Sequence, residues 1–106
     1  MTIPEYQEFI SNFYKQRNWY QYDSFVRVSF LAEEVGEVSR AVRSLEIGRD
    51  RPDETNQSIE ENLTNLTEEL GDVLDNIFFL ADKYDISLDM IMNAHKDKLL
   101  SRYQDS

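Results

Sequence analysis

Ser58-Ile59-Glu60-Glu61-Asn62-Leu63-Thr64-Asn65-Leu66-Thr67-Glu68-Glu69-Leu70-Gly71-Asp72-Val73-Leu74-Asp75-Asn76-Ile77-Phe78-Phe79-Leu80 is the run whose spacing decides the fold class. Ile59, Leu63, Leu66, Leu70, Val73, Ile77 and Leu80 recur every three or four residues, so they form one apolar stripe along an α-helix. Ser58 followed three residues later by Glu61 is a capping box: serine accepts from a backbone N–H of the first turn, and the glutamate reaches back to the serine N–H. The spacing predicts a helix from this box to about Tyr84, and Ser87 supplies the cap of a further helix.

Upstream, Gly48 to Gln57 (GRDRPDETNQ) combines glycine, proline and mixed charge without an apolar residue, which marks one substantial loop. Before it, Leu31, Val35, Val38, Ala41, Val42 and Leu45 form the stripe of a helix expected to open at Asp23 or Ser24 and stop at Gly48. A second capping box, Thr2-Ile3-Pro4-Glu5, opens the first helix. That helix carries Tyr6, Phe9, Ile10 and Phe13 on one face and fades near Arg17. Proline stands only at Pro4 and Pro52, so long stretches contain no breaker. The fold class is therefore all-α, four helices whose short connectors predict antiparallel neighbours. With 106 residues, 41% of them hydrophobic, one core and a single domain over residues 1–106 are expected.

The formal net charge of −10 opposes binding to a phosphate backbone, which depends on clustered Lys and Arg, so no nucleic-acid partner is expected. No apolar run approaches the roughly 18 residues of a bilayer span, and MTIPEYQEF lacks the basic and apolar regions of a secretory leader. A cytoplasmic protein without a membrane partner is the expectation. Cysteine is absent, which removes disulfides and thiolate metal sites and leaves stability to packing or assembly. Acidic excess on this scale is costly wherever it is concentrated, unless a hard cation such as Mg²⁺ or Ca²⁺ neutralises it.

It is concentrated at two matching segments, Glu33-Glu34-Val35-Gly36-Glu37-Val38 and Glu68-Glu69-Leu70-Gly71-Asp72-Val73. Helical residues three apart point about 60° from one another, one turn along, so Glu34 with Glu37 and Glu69 with Asp72 each form a two-pronged clamp. Glu34 falls within the apolar stripe of its helix, and Glu69, Asp72 and Asn76 line a rail beside the next stripe. If the two stripes pack together, four carboxylates meet in a partly buried cluster, and metal ions with oxygen ligands are the usual compensation. Gly36 and Gly71 each sit between two clamp acids, where a missing side chain leaves room for another helix or a ligand. One such acidic motif is ordinarily a solvated helix face; two copies with matching glycines are a stronger signal.

Glu33-Glu34-x-x-Glu37 followed on the next helix by Glu69-x-x-Asp72 resembles the signature of the MazG-like all-α nucleotide pyrophosphohydrolases. Gln16-Arg17-Asn18-Trp19 through Glu37 also resembles the start of the deoxycytidine triphosphatase branch, although Asp23 stands where that branch often has histidine. The likeness covers about residues 9–103. It implies a MazG-like bundle that binds a nucleoside triphosphate and releases nucleoside monophosphate and pyrophosphate. It further implies Mg²⁺, with Mn²⁺ as a substitute, on Glu34, Glu37, Glu69 and Asp72, with Glu33 or Glu68 as acid or base behind them. Trp19 would lie near the base or sugar, Asn76 near the substrate, and Lys98 and Arg102 would match basic positions on the last helix. Family members are commonly homo-dimers or homo-tetramers.

Several of these residues carry a second reading. Trp19 serves either a nucleobase or a core or subunit contact, while Tyr20 and Tyr22 favour core roles. Lys98 and Arg102, four apart on the last helix, either hold phosphate oxygens or simply suit a helix C-terminus, and Arg49 and Arg51 in the loop are further cations. His95, the single histidine, lacks an acid three residues before it and reads as a surface residue. No GxxxxGK[ST] loop is present, so phosphate handling falls to metals. The rival reading of the whole chain is a non-catalytic acidic helical interaction module, whose apolar stripes bind a partner helix.

Overall fold

A computed structural model describes residues 1–48 and 57–103. Most of the loop, with Arg49, Arg51 and Pro52, lies outside the described residues. Among those described there are four helices and no strand: α1 (Ile3–Gln16), α2 (Ser24–Ile47), α3 (Ile59–Lys83) and α4 (Leu88–Arg102). The all-α expectation holds, with boundaries within a residue or two of those read from the sequence.

Local chemistry explains the boundaries. At α1 the Glu5 N–H donates to Thr2 Oγ1 at 3.2 Å and the Thr2 N–H donates to Glu5 Oε1 at 3.0 Å. Hydrogen bonding with the Thr2 side chain, then with its backbone N–H, holds the exposed Glu5 carboxyl below the usual glutamate range. The Ser58–Glu61 box forms likewise, at 3.1 and 3.3 Å, and Ser87 Oγ accepts from the Met90 N–H at 3.1 Å. Helix ends are closed by residues in the left-handed region: Asn18 (φ 62°), Gly48 (φ 83°) and Asp85 (φ 55°). At Asn18 and Asp85 the next N–H turns back to the helix, Trp19 to Tyr14 O at 2.9 Å and Ile86 to Ala81 O at 2.8 Å. Both closures have the Schellman pattern, with Asn and Asp in the place usually given to glycine.

The chain forms two compact units, Met1–Ser24 with Phe78–Ser106, and Phe25–Ile77. In the first, Ile10, Tyr14, Phe78, Phe79, Ala81 and Leu88 are buried. Aromatic contacts dominate it: Tyr14 and Tyr20 lie 5.3 and 5.0 Å from Phe79, and Tyr6 meets Phe78 edge-on at 5.2 Å. Tyr20 also donates to Asp82 Oδ2 at 2.8 Å; burial first, then that bond and the charges of Asp82 and Asp85, push its phenol up to about 12. Gln7 ties α1 to the turn before α4, donating to Ile86 O at 3.1 Å and accepting from the Leu88 N–H at 3.3 Å.

In the second unit the apolar stripes are only partly covered. Val35, Val42, Leu63 and Leu70, all from the two apolar stripes, remain 41–52% exposed, whereas Arg27, Ala41, Asn62 and Asn76 are buried to 2–8% exposure. Side-chain hydrogen bonds join α2 to α3: Asn62 Nδ2 donates to Ser44 O at 3.3 Å, and Arg27 Nη1 donates to Asn76 Oδ1 at 3.4 Å. Residues of both faces are covered: Ala41 of the α2 stripe is buried, Val38, Leu45, Leu66 and Val73 are half-buried, and on the rails Asn76 is buried and Glu34 and Glu69 half-buried.

Candidate metal centre

Within the Phe25–Ile77 unit, contacts that rise in number along α2 fall along α3, as antiparallel helices require. Arg27 meets Asn76, Glu34 meets Glu69 and Asp72, and Ser44 meets Asn62. The carboxylate cluster therefore lies between an arginine–amide link on one side and an amide–carbonyl link on the other. One carboxylate oxygen from each of Glu34, Glu69 and Asp72 falls within 4.8 Å of the others, with Glu34 and Glu69 half-buried and Asp72 exposed.

The electrostatics follow from that geometry. Burial, then the charges of Asp72, Glu69, Glu33 and Glu37, raise the Glu34 carboxyl above the usual glutamate range. Burial, then Asp72, Glu37 and Glu68, raise Glu69 in the same direction. Glu37 is thus close enough to be felt by both, although it stands outside the tightest group of three. Glu33 and Glu68 each add charge to the ligand candidate beside them.

The donor set fits a hard divalent cation. Oxygens bound to Mg²⁺ at 2.0–2.1 Å stand about 3 Å apart when adjacent and about 4 Å when opposite, and Ca²⁺ widens these spacings by a few tenths of an ångström. Three carboxylate oxygens within 4.8 Å need only small side-chain adjustments to reach either set. A bound cation would also remove the repulsion that raises Glu34 and Glu69.

These observations converge on the resemblance stated from the sequence, and residues 26–106 match the MazG nucleotide pyrophosphohydrolase domain. The chain belongs to the MazG nucleotide pyrophosphohydrolase family. It is also similar to YvdC, an uncharacterized protein of Bacillus subtilis (strain 168), at 48% identity over 104 residues, 98% of each chain. The matched span of this MazG domain begins one residue before Arg27 and includes all four clamp acids.

The other residues singled out from the sequence are placed as follows. Asn76 shares the second unit with the cluster, but its amide is engaged inside the protein: Oδ1 accepts from Arg27 and Nδ2 donates to Asp72 O at 2.9 Å. Trp19, Lys98 and Arg102 belong to the first unit. Trp19 packs edge-on to Tyr14 at 5.5 Å and to Phe13 at 6.0 Å, with part of its ring exposed. Lys98, Arg102 and His95 are exposed on α4. Among the described residues a Cβ added at Gly36 or Gly71 meets nothing within 4 Å, so none of the four helices presses on either glycine. Sequence reasoning missed Arg27 and Asn62. The available signal for Arg27 was its place seven residues, two helical turns, before Glu34 on the same face.

Proposed function

We propose that this chain hydrolyses nucleoside triphosphates, ribo or deoxy, to nucleoside monophosphate and pyrophosphate, a reaction suited to nucleotide-pool house-cleaning in the cytoplasm. The observation that carries the reading is the convergence of Glu34, Glu69 and Asp72 oxygens within 4.8 Å in a chain of this family. Glu34, Glu37, Glu69 and Asp72 would hold Mg²⁺, with Mn²⁺ as a substitute. What that ion supplies when bound is neutralised polyphosphate charge and a water of lowered pKa. Attack of a water oxygen on the α-phosphorus would form one P–O bond and break the bond to the β-phosphate bridge, with pyrophosphate as the leaving group. The proton goes to Glu33 or Glu68, carboxylates beside the ligand positions on the same helices. Trp19 is the candidate for stacking on the base, and Lys98 and Arg102 for phosphate oxygens. Half-exposed Val35, Val42, Leu63 and Leu70 support assembly into a homo-dimer or homo-tetramer, which light scattering across a concentration series tests.

The same exposed stripes favour a second reading, a non-catalytic acidic helical interaction module. A chromatographic product balance on a panel of nucleoside triphosphates with Mg²⁺, beside a Glu37→Gln control, separates the two. Monophosphate and pyrophosphate in equal amounts support the enzyme. Diphosphate with free phosphate would overturn the mechanism, and no turnover across the panel would favour the module.

A further inference from the structure

We infer that Arg27 is a positioning residue for the carboxylate cluster, acting through Asn76 on the turn of α3 that carries Asp72. The inference rests on the metal-centre reading above and adds to it a role for a residue outside the acidic motif.

Arg27 is 7% exposed, its guanidinium 4.9 Å from the centre of the Phe30 ring. A buried guanidinium is costly unless its donors are used and its surroundings are ordered, so a chain that keeps one gains something from its geometry. Arg27 precedes Glu34 by seven residues, and Asn76 follows Glu69 by seven, so two facing rails of equal spacing run along α2 and α3. One end of each rail is a carboxylate of the cluster. The other ends are joined by the bond from Arg27 Nη1 to Asn76 Oδ1.

Hydrogen-bond chemistry fixes the direction of the link. A guanidinium has donors only, so the Asn76 amide must present its oxygen to Arg27. Its NH₂ is then turned to the Asp72 carbonyl, where the 2.9 Å bond is found. The amide at position 76 thus accepts from the arginine and donates to the carbonyl at once. Arg27 thereby selects the orientation of Asn76, and Asn76 holds the backbone of Asp72, the exposed member of the three. Partners that orient metal ligands typically cost about 10- to 100-fold in metal affinity when removed.

The test is direct titration of Mn²⁺ into the purified protein, followed by the electron paramagnetic resonance signal of the free ion well below the melting temperature. Arg27→Met should weaken binding roughly tenfold or more, and Arg27→Gln, whose amide can still donate to Asn76, should recover part of the loss. Asn76→Leu, similar in size, removes both the acceptor for Arg27 and the donor to Asp72 O without adding charge, so it should weaken Mn²⁺ binding as well; it serves if Arg27→Met does not fold. Turnover of Arg27→Met should show a raised metal requirement with kcat at saturating metal nearly unchanged. Wild-type binding with equal or tighter affinity in the folded variants would overturn the role of Arg27 alone. No Mn²⁺ binding by the wild type would overturn the metal centre, and this inference with it.

Discussion

Replacing Glu34 by glutamine should separate the stability of the metal-free protein from its response to metal. Two unit charges 4.8 Å apart, the upper limit within the cluster, repel by about 0.9 kcal/mol in bulk water and about 3.5 kcal/mol at an effective dielectric of about 20. Glu34 faces two such partners, but it is only half-buried and side chains can rotate apart, so the lower figure governs. The metal-free Glu34→Gln protein should therefore gain about 1 kcal/mol at neutral pH and low salt, a rise in Tm of about 4–8 °C for a chain of this size. With Mg²⁺ at a hundred times its Kd the wild type gains about 2.7 kcal/mol by mass action. Loss of one ligand that weakens binding tenfold reduces the increment at the same concentration to about 1.4 kcal/mol. Thermal melts followed by circular dichroism over a Mg²⁺ series measure both quantities, and activity should be lost while folding is retained. A full Mg²⁺ increment in the variant would refute Glu34 as a ligand, and a metal-free Tm lowered by several degrees would show that its carboxylate supports the fold instead.

Two further outcomes are expected. Glu34 and Glu69 titrate above their ordinary value in the metal-free fold, so the folded state binds more protons than the unfolded state between the ordinary glutamate pKa and the raised ones. Their contribution to metal-free stability accordingly falls as pH rises through that window, while Mg²⁺ affinity rises because protons and cation compete for the same oxygens. Urea denaturation and Mn²⁺ titration from pH 4.5 upward check the opposed slopes, and a metal affinity independent of pH across the window would contradict them. Gly36→Ala and Gly71→Ala should each stabilise the chain by about 1 kcal/mol, since the added methyl meets open space within a helix. A loss of stability of that size in urea denaturation would show that another surface lies against that face.

Much of the architecture is local chemistry and was legible without coordinates. Thr2 with Glu5, Ser58 with Glu61, and Ser87 each satisfy backbone donors within three residues of themselves, so the helix starts follow from the sequence alone. Helical periodicity likewise places Glu34, Glu37, Glu69 and Asp72 on definite faces, which is why the acidic motif could be read as a cluster. The turns at Asn18 and Asp85 were less legible, because a left-handed cap at Asn or Asp looks in sequence like any polar residue.

How far each face turns inward was decided by tertiary structure. Periodicity states which side chains share a face, but how deeply each residue of a stripe or of the neighbouring rail is buried depends on the rotation of each helix about its own axis, and that is settled only by the contacts made across the seam. Along α2 and α3, Arg27, Ala41, Asn62 and Asn76 are buried, whereas Val35, Val42, Leu63 and Leu70 of the stripes stay half-exposed. The sequence by itself thus determined four helices and the acids they carry. The sequence also set Glu69 and Asp72 one turn apart and raised the expectation that Glu34 joins them. The tertiary structure decided the register that brings Glu34 there, and that Arg27 and Asn76 stand beside the cluster, because no local interaction sets that register.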